Sequence, residues 1–156
     1  MQIHTEQEAL YLACEMESAA VQLYTRALQV LQSQGREREP LYAQMRGMLE
    51  DEQRHLRRFR SLYRGLDGTQ EHALALAAIA EGVLFEGGLM GAARGGLLAD
   101  AEAMRRLAAD AERTSARKYR EFAAAAQSEA AREALLLIAS EEDAHLLELE
   151  APVRRG

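Results

Sequence analysis

Glu-x-x-His occurs twice in this chain, as Glu52/His55 and Glu142/His145, and each copy follows a lone Glu that stands seven residues before a Tyr: Glu17 with Tyr24, and Glu112 with Tyr119. Residues three apart in a helix are neighbours on one face, so the Glu and His of each copy can grip one cation together. Two copies offer one oxygen and one nitrogen ligand to each of two ions, and Glu17 and Glu112 add bridging or terminal carboxylates. Four carboxylates balance two divalent cations. Without metal, four buried acids would each cost several kcal/mol or take up protons. Oxygen mixed with imidazole suits iron or manganese, with zinc also possible, whereas an all-oxygen set would point to calcium or magnesium. Cys14, the single thiol, rules out a cysteine-ligated site.

Such residues need rods to hold them, and the chain supplies four. The first is expected from about Glu6 to Gln34, started by a capping box of Thr5 and Glu8 and stopped by Gly35. Its inner stripe reads Leu10, Cys14, Glu17, Val21, Tyr24, Leu28, Leu31, apolar but for one acid. Pro40 opens the second helix, whose stripe is Leu41, Met45, Met48, Glu52, His55, Phe59, Leu62, ended by Gly65 and Gly68. The third, after Gly95-Gly96, shows Ala101, Arg105, Ala108, Glu112, Ser115, Tyr119, Phe122. The fourth shows Leu135, Ile138, Glu142, His145, Leu149 before Pro152. Every candidate ligand lies in its helix's inward stripe. Each hairpin brings its two acids to similar heights, because the longer first connection absorbs the difference between the separations Glu17–Glu52 and Glu112–Glu142. Between Gly65 and Gly96 a crossover is expected, with Thr69 as N-cap of an additional helix over Glu71 to about Leu84, and with bends at glycines 82, 87, 88, 91, 95 and 96.

Composition agrees with one all-α domain spanning 1–156. The chain is 48% hydrophobic, rich in Ala, Leu, Glu and Arg, with two prolines and no Trp, which favours helix over sheet. A net charge of −6, with acids interleaved among arginines, argues against a nucleic-acid partner. One Cys permits no internal disulfide, and the N-terminus lacks the basic and apolar regions of a secretory signal, so a cytoplasmic location is expected. The most apolar stretch, Ala73 to Met90, is broken by Glu81, Glu86 and three glycines, which suits a buried helix and not a membrane span.

The doubled motif on four helices resembles the ferritin-like superfamily, and within it the rubrerythrin-type and bacterioferritin-type di-iron proteins. The resemblance implies an antiparallel four-helix bundle with a long crossover, two iron ions held by Glu17, Glu52, His55, Glu112, Glu142 and His145, and Tyr24 and Tyr119 hydrogen-bonding to ligand carboxylates. It implies oxidoreductase chemistry on O2 or H2O2, of ferroxidase or peroxidase type, with an external electron donor and a side-by-side homodimer. Ser115 departs from the rubrerythrin pattern, which has a second Glu three residues after the third-helix ligand. Gln53 and Arg54 stand where bacterioferritin places its haem-ligating Met, and the sixty residues from Glu52 to Glu112 exceed the crossover of cage-forming ferritins. Neither haem nor a shell is expected. The alternatives are an iron-storing, iron-sensing or metal-stabilised structural bundle without turnover, and a bundle whose acids share protons and hold no metal. Glu50, Asp51, Glu141, Asp143 and Glu148 read as solvent-facing partners of arginines, His4 and His72 as surface residues, and Met45 and Met48 as core filler.

Overall fold

A computed structural model describes residues 1–84 and 100–151. Among these there are five helices and no strand: α1 Glu6–Ser33, α2 Pro40–Leu62, α3 Gly68–Ala80, α4 Ala101–Ala125 and α5 Glu129–Glu150. The expected bends at glycines 87, 88, 91, 95 and 96, and the stop at Pro152, lie outside the described residues.

Local chemistry sets the ends. Thr5 and Glu8 form the reciprocal capping box at the start of α1, with the Thr5 hydroxyl accepting from Glu8 N at 3.1 Å and the Glu8 carboxylate accepting from Thr5 N at 2.9 Å. Thr5→Ala should cost about 1 kcal/mol of stability, readable as a lowered denaturant midpoint with an unchanged slope. Gly35, at φ 67°, turns the chain out of α1 so that Arg36 N and Gly35 N reach back to the carbonyls of Leu31 and Gln32. Pro40 is the first residue of α2. In the crossover the helix begins earlier than expected: Asp67, not Thr69, is the N-cap, because Asp67 and Gln70 form a second capping box. This helix also ends earlier, at Ala80, where Gly82 at φ 76° lets Val83 N bond back to Ala78 O.

Helices α1 and α2 pack along one another, as do α4 and α5; α1 also meets α4, and α2 meets α5, while α3 lies against α1. The apolar interior is split in two. One cluster includes Leu10, Leu12, Phe59, Phe122, Leu135 and Ile138. The other includes Leu23, Leu31, Leu41, Met45, Met104 and Leu149. Each of the four long helices passes from one cluster to the other at its Glu: Glu17, Glu52, Glu112 and Glu142. A polar layer therefore sits at mid-height between two greasy ones, where water cannot screen it.

Candidate metal centre

All six residues singled out from the sequence meet in that layer. Glu17 and Glu52 are fully buried, Glu112, Glu142 and His55 nearly so, and His145 is 5% exposed. Their ligand atoms form two groups, each with atoms within 4.8 Å of one another: Glu17, Glu52, His55 and Glu142 in the first, and Glu52, Glu112, Glu142 and His145 in the second. Glu52 and Glu142 belong to both groups, while Glu17 and Glu112 each belong to one. Sequence spacing left open which acids lie between the two positions. The acids of the two Glu-x-x-His motifs are the ones common to both groups.

Nδ1 is the nitrogen that each imidazole turns inward. His55 Nδ1 lies 3.1 Å from Glu142, 3.5 Å from Glu17 and 3.6 Å from Glu52. His145 Nδ1 lies 3.1 Å from Glu52, 3.4 Å from Glu112 and 3.6 Å from Glu142. None of these approaches has hydrogen-bond alignment. Seven buried atoms of the six residues are left without a partner: Glu17 Oε2, both Glu52 oxygens, Glu112 Oε2, Glu142 Oε1 and the two inward Nδ1 atoms. Folded proteins rarely leave buried polar atoms unpaired, and seven converging on one small volume is the donor set that two cations would satisfy.

Four of the same residues are also held from outside. Tyr24 donates its hydroxyl to Glu112 Oε1 at 2.5 Å, and Tyr119 donates to Glu17 Oε1 at 2.9 Å. Each lone Glu is thus pinned through one oxygen by the Tyr of the other half of the chain, leaving Oε2 free to turn inward. Both hydroxyls are fully buried, and that burial, with the adjacent charge of Glu112 or Glu17, raises their pKa well above the usual tyrosine value. They remain neutral donors. Phe59 packs edge-on against Tyr119 at 5.2 Å and fixes the ring.

Asp51 and Glu141 go beyond the sequence reading. They are half-buried and pair with Arg54, as acids beside an arginine should. They also accept the remaining N–H of the histidines, crosswise: His145 Nε2 to Asp51 Oδ2 at 2.9 Å, and His55 Nε2 to Glu141 Oε2 at 2.5 Å. A carboxylate on Nε2 fixes the tautomer whose lone pair sits on Nδ1, the inward atom. The signal was present in the sequence, since an acid immediately precedes the Glu of each motif: Asp51-Glu52 and Glu141-Glu142. Of the other acids read as surface, Asp143 bonds Arg120. His4 and His72 are exposed and Met45 and Met48 buried, as expected.

Electrostatics describe a cluster short of positive charge. Burial pushes the Glu17 carboxyl well above the usual range, and the charge of Glu52 adds to it. Glu142 and Glu112 are raised by burial and by neighbouring carboxylates. Glu52 is the exception: burial opposes its ionisation, but the adjacent Glu17 carboxyl and the two imidazoles favour its charged form and hold it low. Burial should likewise depress the histidines, yet the surrounding carboxylates override it and hold His55 up at about 10 and His145 at about 11. Protons on the imidazoles are the nearest substitute the protein has for cations.

α1, α4 and the turn at Gly82 and Val83 line a partly open pocket of about 290 Å³, with Met16, Leu23, Leu107, Asp110 and Ser115 among its walls. Ser115, one turn beyond Glu112 on α4, is the pocket's residue nearest in sequence to the polar cluster. Among the described residues, no helix is long and apolar enough to cross a membrane.

The family model described as Rubrerythrin matches residues 8–151. Neither the search of curated proteins nor that of solved structures returned a match.

Proposed function

The chain belongs to the rubrerythrin family, and we propose that it holds two iron ions between Glu17, Glu52, His55, Glu112, Glu142 and His145 and acts as an oxidoreductase on O2 or H2O2, of ferroxidase or peroxidase type. The seven unpartnered atoms converging at mid-height carry this reading. The whole chain would form a single ferritin-like domain, an antiparallel four-helix bundle in which α3 belongs to the long crossover between α2 and α4.

When bound, the iron pair would supply electrons to the oxidant. The protein's own part is positional. Glu52 and Glu142 would bridge, Glu17 and Glu112 would cap the two ends, and the histidines would complete each ion's set through Nδ1. Tyr24 and Tyr119 hold the capping carboxylates by one oxygen only, which leaves the other available to an ion. The largely apolar pocket lined by Ala20, Ala111 and Ser115 is suited to a small neutral oxidant and less suited to an ion, which would lose hydration there. An external donor would re-reduce the iron pair, since Cys14, the chain's one thiol, lies buried with its pKa pushed up by burial to about 11. A homodimer is favoured by Leu136, Leu137 and Leu147, which α5 leaves exposed.

Elemental analysis after anaerobic loading with ferrous iron, followed by repeated additions of H2O2 with a reductant present, tests the proposal. Two irons per chain, an oxo-bridged ferric absorption spectrum and peroxide consumption beyond the iron present are expected. Consumption that stops once the iron is oxidised would favour storage or a structural role, the alternative to which Ser115 lends weight by removing the second third-helix Glu of rubrerythrins. Tyr24→Phe should weaken the ion on the Glu112 side, and Tyr119→Phe the ion on the Glu17 side, each by roughly tenfold. Stepwise cobalt titration followed by absorbance would read this, and two unchanged constants would exclude the role given to the hydroxyls.

A further inference from the structure

The helix pair α2/α5 carries one feature that the six ligands do not account for: a single guanidinium bound to both of the acids that hold the histidines. Arg54 Nη2 donates to Asp51 Oδ1 at 3.1 Å, and Nη1 donates to the Glu141 carboxylate at 3.3 Å. Asp51 and Glu141 in turn accept from His145 and His55. The result is one continuous chain of hydrogen bonds, His145–Asp51–Arg54–Glu141–His55, lying across the outside of the polar layer and ending at both inward Nδ1 atoms. We propose that Arg54 is a positioning residue that clamps the two acids together and so sets both imidazoles at once, coupling the two metal positions through a path outside the metal cluster. This rests on the proposed two-metal reading.

Residue type supports the role. Two carboxylates on different helices need two donors held in a fixed plane, which a guanidinium has and an ammonium lacks. The duplicated motif also has room for only one clamp. The position before the histidine is Arg54 in the first copy and Ala144 in the second. By the symmetry of the pair, an arginine at 144 would reach Glu141 on its own helix and Asp51 across the gap, the mirror image of what Arg54 does.

Simple charge effects predict the opposite outcome, which makes the clamp testable. Arg54 is a cation near two further cations, so its removal should strengthen metal binding if only its charge mattered. Its side chain is 53% exposed, so its ion pairs add little to folding stability in either case.

The test is cobalt(II) titration of the full chain, with the unloaded thermal midpoint measured in parallel. Asp51→Asn is expected to weaken the His145-side ion, and Glu141→Gln the His55-side ion. Arg54→Met is expected to weaken both, by roughly tenfold, the lower end of the range for partners of metal-ligating histidines, with the unloaded midpoint nearly unchanged. The double variant Arg54→Met/Ala144→Arg should recover most of the loss, whereas Arg54→Lys should recover less. Unchanged or tighter cobalt binding in Arg54→Met would overturn the clamp while leaving the two-metal reading intact. So would a loss that Ala144→Arg fails to repair. A wild-type protein that takes up no cobalt would overturn both.

Discussion

Glu52→Ala and Glu142→Ala are each expected to abolish binding of both metal ions, while Glu17→Ala and Glu112→Ala each leave one ion bound. The difference follows from group membership. Glu52 and Glu142 lie in both sets of convergent atoms, whereas Glu17 and Glu112 lie in one each. Removing a shared carboxylate would take a ligand from both ions and one of the four charges that balance them; removing a terminal one leaves the far set complete. Elemental analysis after anaerobic ferrous loading and desalting should give roughly zero ions per chain for the first two variants and about one for the second two, against two for the wild type. Circular dichroism should show helical content retained, because the apolar clusters on either side remain whole. The unloaded proteins should move the other way. Glu142→Met removes a buried carboxylate that burial and three neighbouring carboxylates disfavour in its charged form, and fills its volume with an apolar chain, so the metal-free variant should be more stable than the metal-free wild type. A Glu142→Met protein that kept both ions, or was less stable than the wild type when stripped, would contradict the shared position assigned to this residue.

The six residues of this layer were legible in the sequence because helix periodicity is rigid. Glu52 and His55 three apart, in a stripe otherwise made of Leu41, Met45, Met48 and Phe59, can face only the core, and the second copy repeats the pattern. The Tyr positions were legible for the same reason, seven residues after Glu17 and Glu112. Their crosswise pairing was not, since it depends on which helices adjoin. Asp51 and Glu141 were read as surface partners of arginine, and that is half of what they do. Facing outward by periodicity, each is half-buried only because a neighbouring helix brings a histidine within reach, a tertiary fact with no local signature beyond the acid pair itself. The crossover helix shows a more modest limit. Asp67-x-x-Gln70 and Thr69 compete as start signals, and Asp67 wins because its carboxylate accepts from Gln70 N at 2.9 Å while Asp67 N donates to the Gln70 side chain in return.

Raising the pH should destabilise the metal-free protein and widen its gap to the loaded one. The sign follows from the direction of each shift. His55 and His145 are held at about 10 and about 11 in the fold, against an ordinary 6.5. Their contribution to stability is therefore complete below about pH 6.5 and is lost as the pH climbs toward those folded values. Glu17, Glu112 and Glu142 are raised as well, so the unfolded chain releases their protons first, and each further rise in pH above the ordinary carboxyl value favours unfolding. Glu52, held low by its partners, runs opposite but completes its effect in the acid range. Metal reverses the balance, because it needs Nδ1 and the carboxylates stripped of protons, and loading at neutral pH should release about two protons per pair of ions from the imidazoles alone. At free metal about a thousandfold above its dissociation constant, binding adds about 4 kcal/mol, or about 8–16 °C in a chain of this size. Scanning calorimetry from pH 6 to 8.5, with chelator or with cobalt(II), should show the chelated midpoint falling while the loaded one holds or rises. Parallel midpoints across that range would mean that the buried layer does not exchange protons for cations, and the charge balance that makes four inward acids tolerable in this bundle would need another origin.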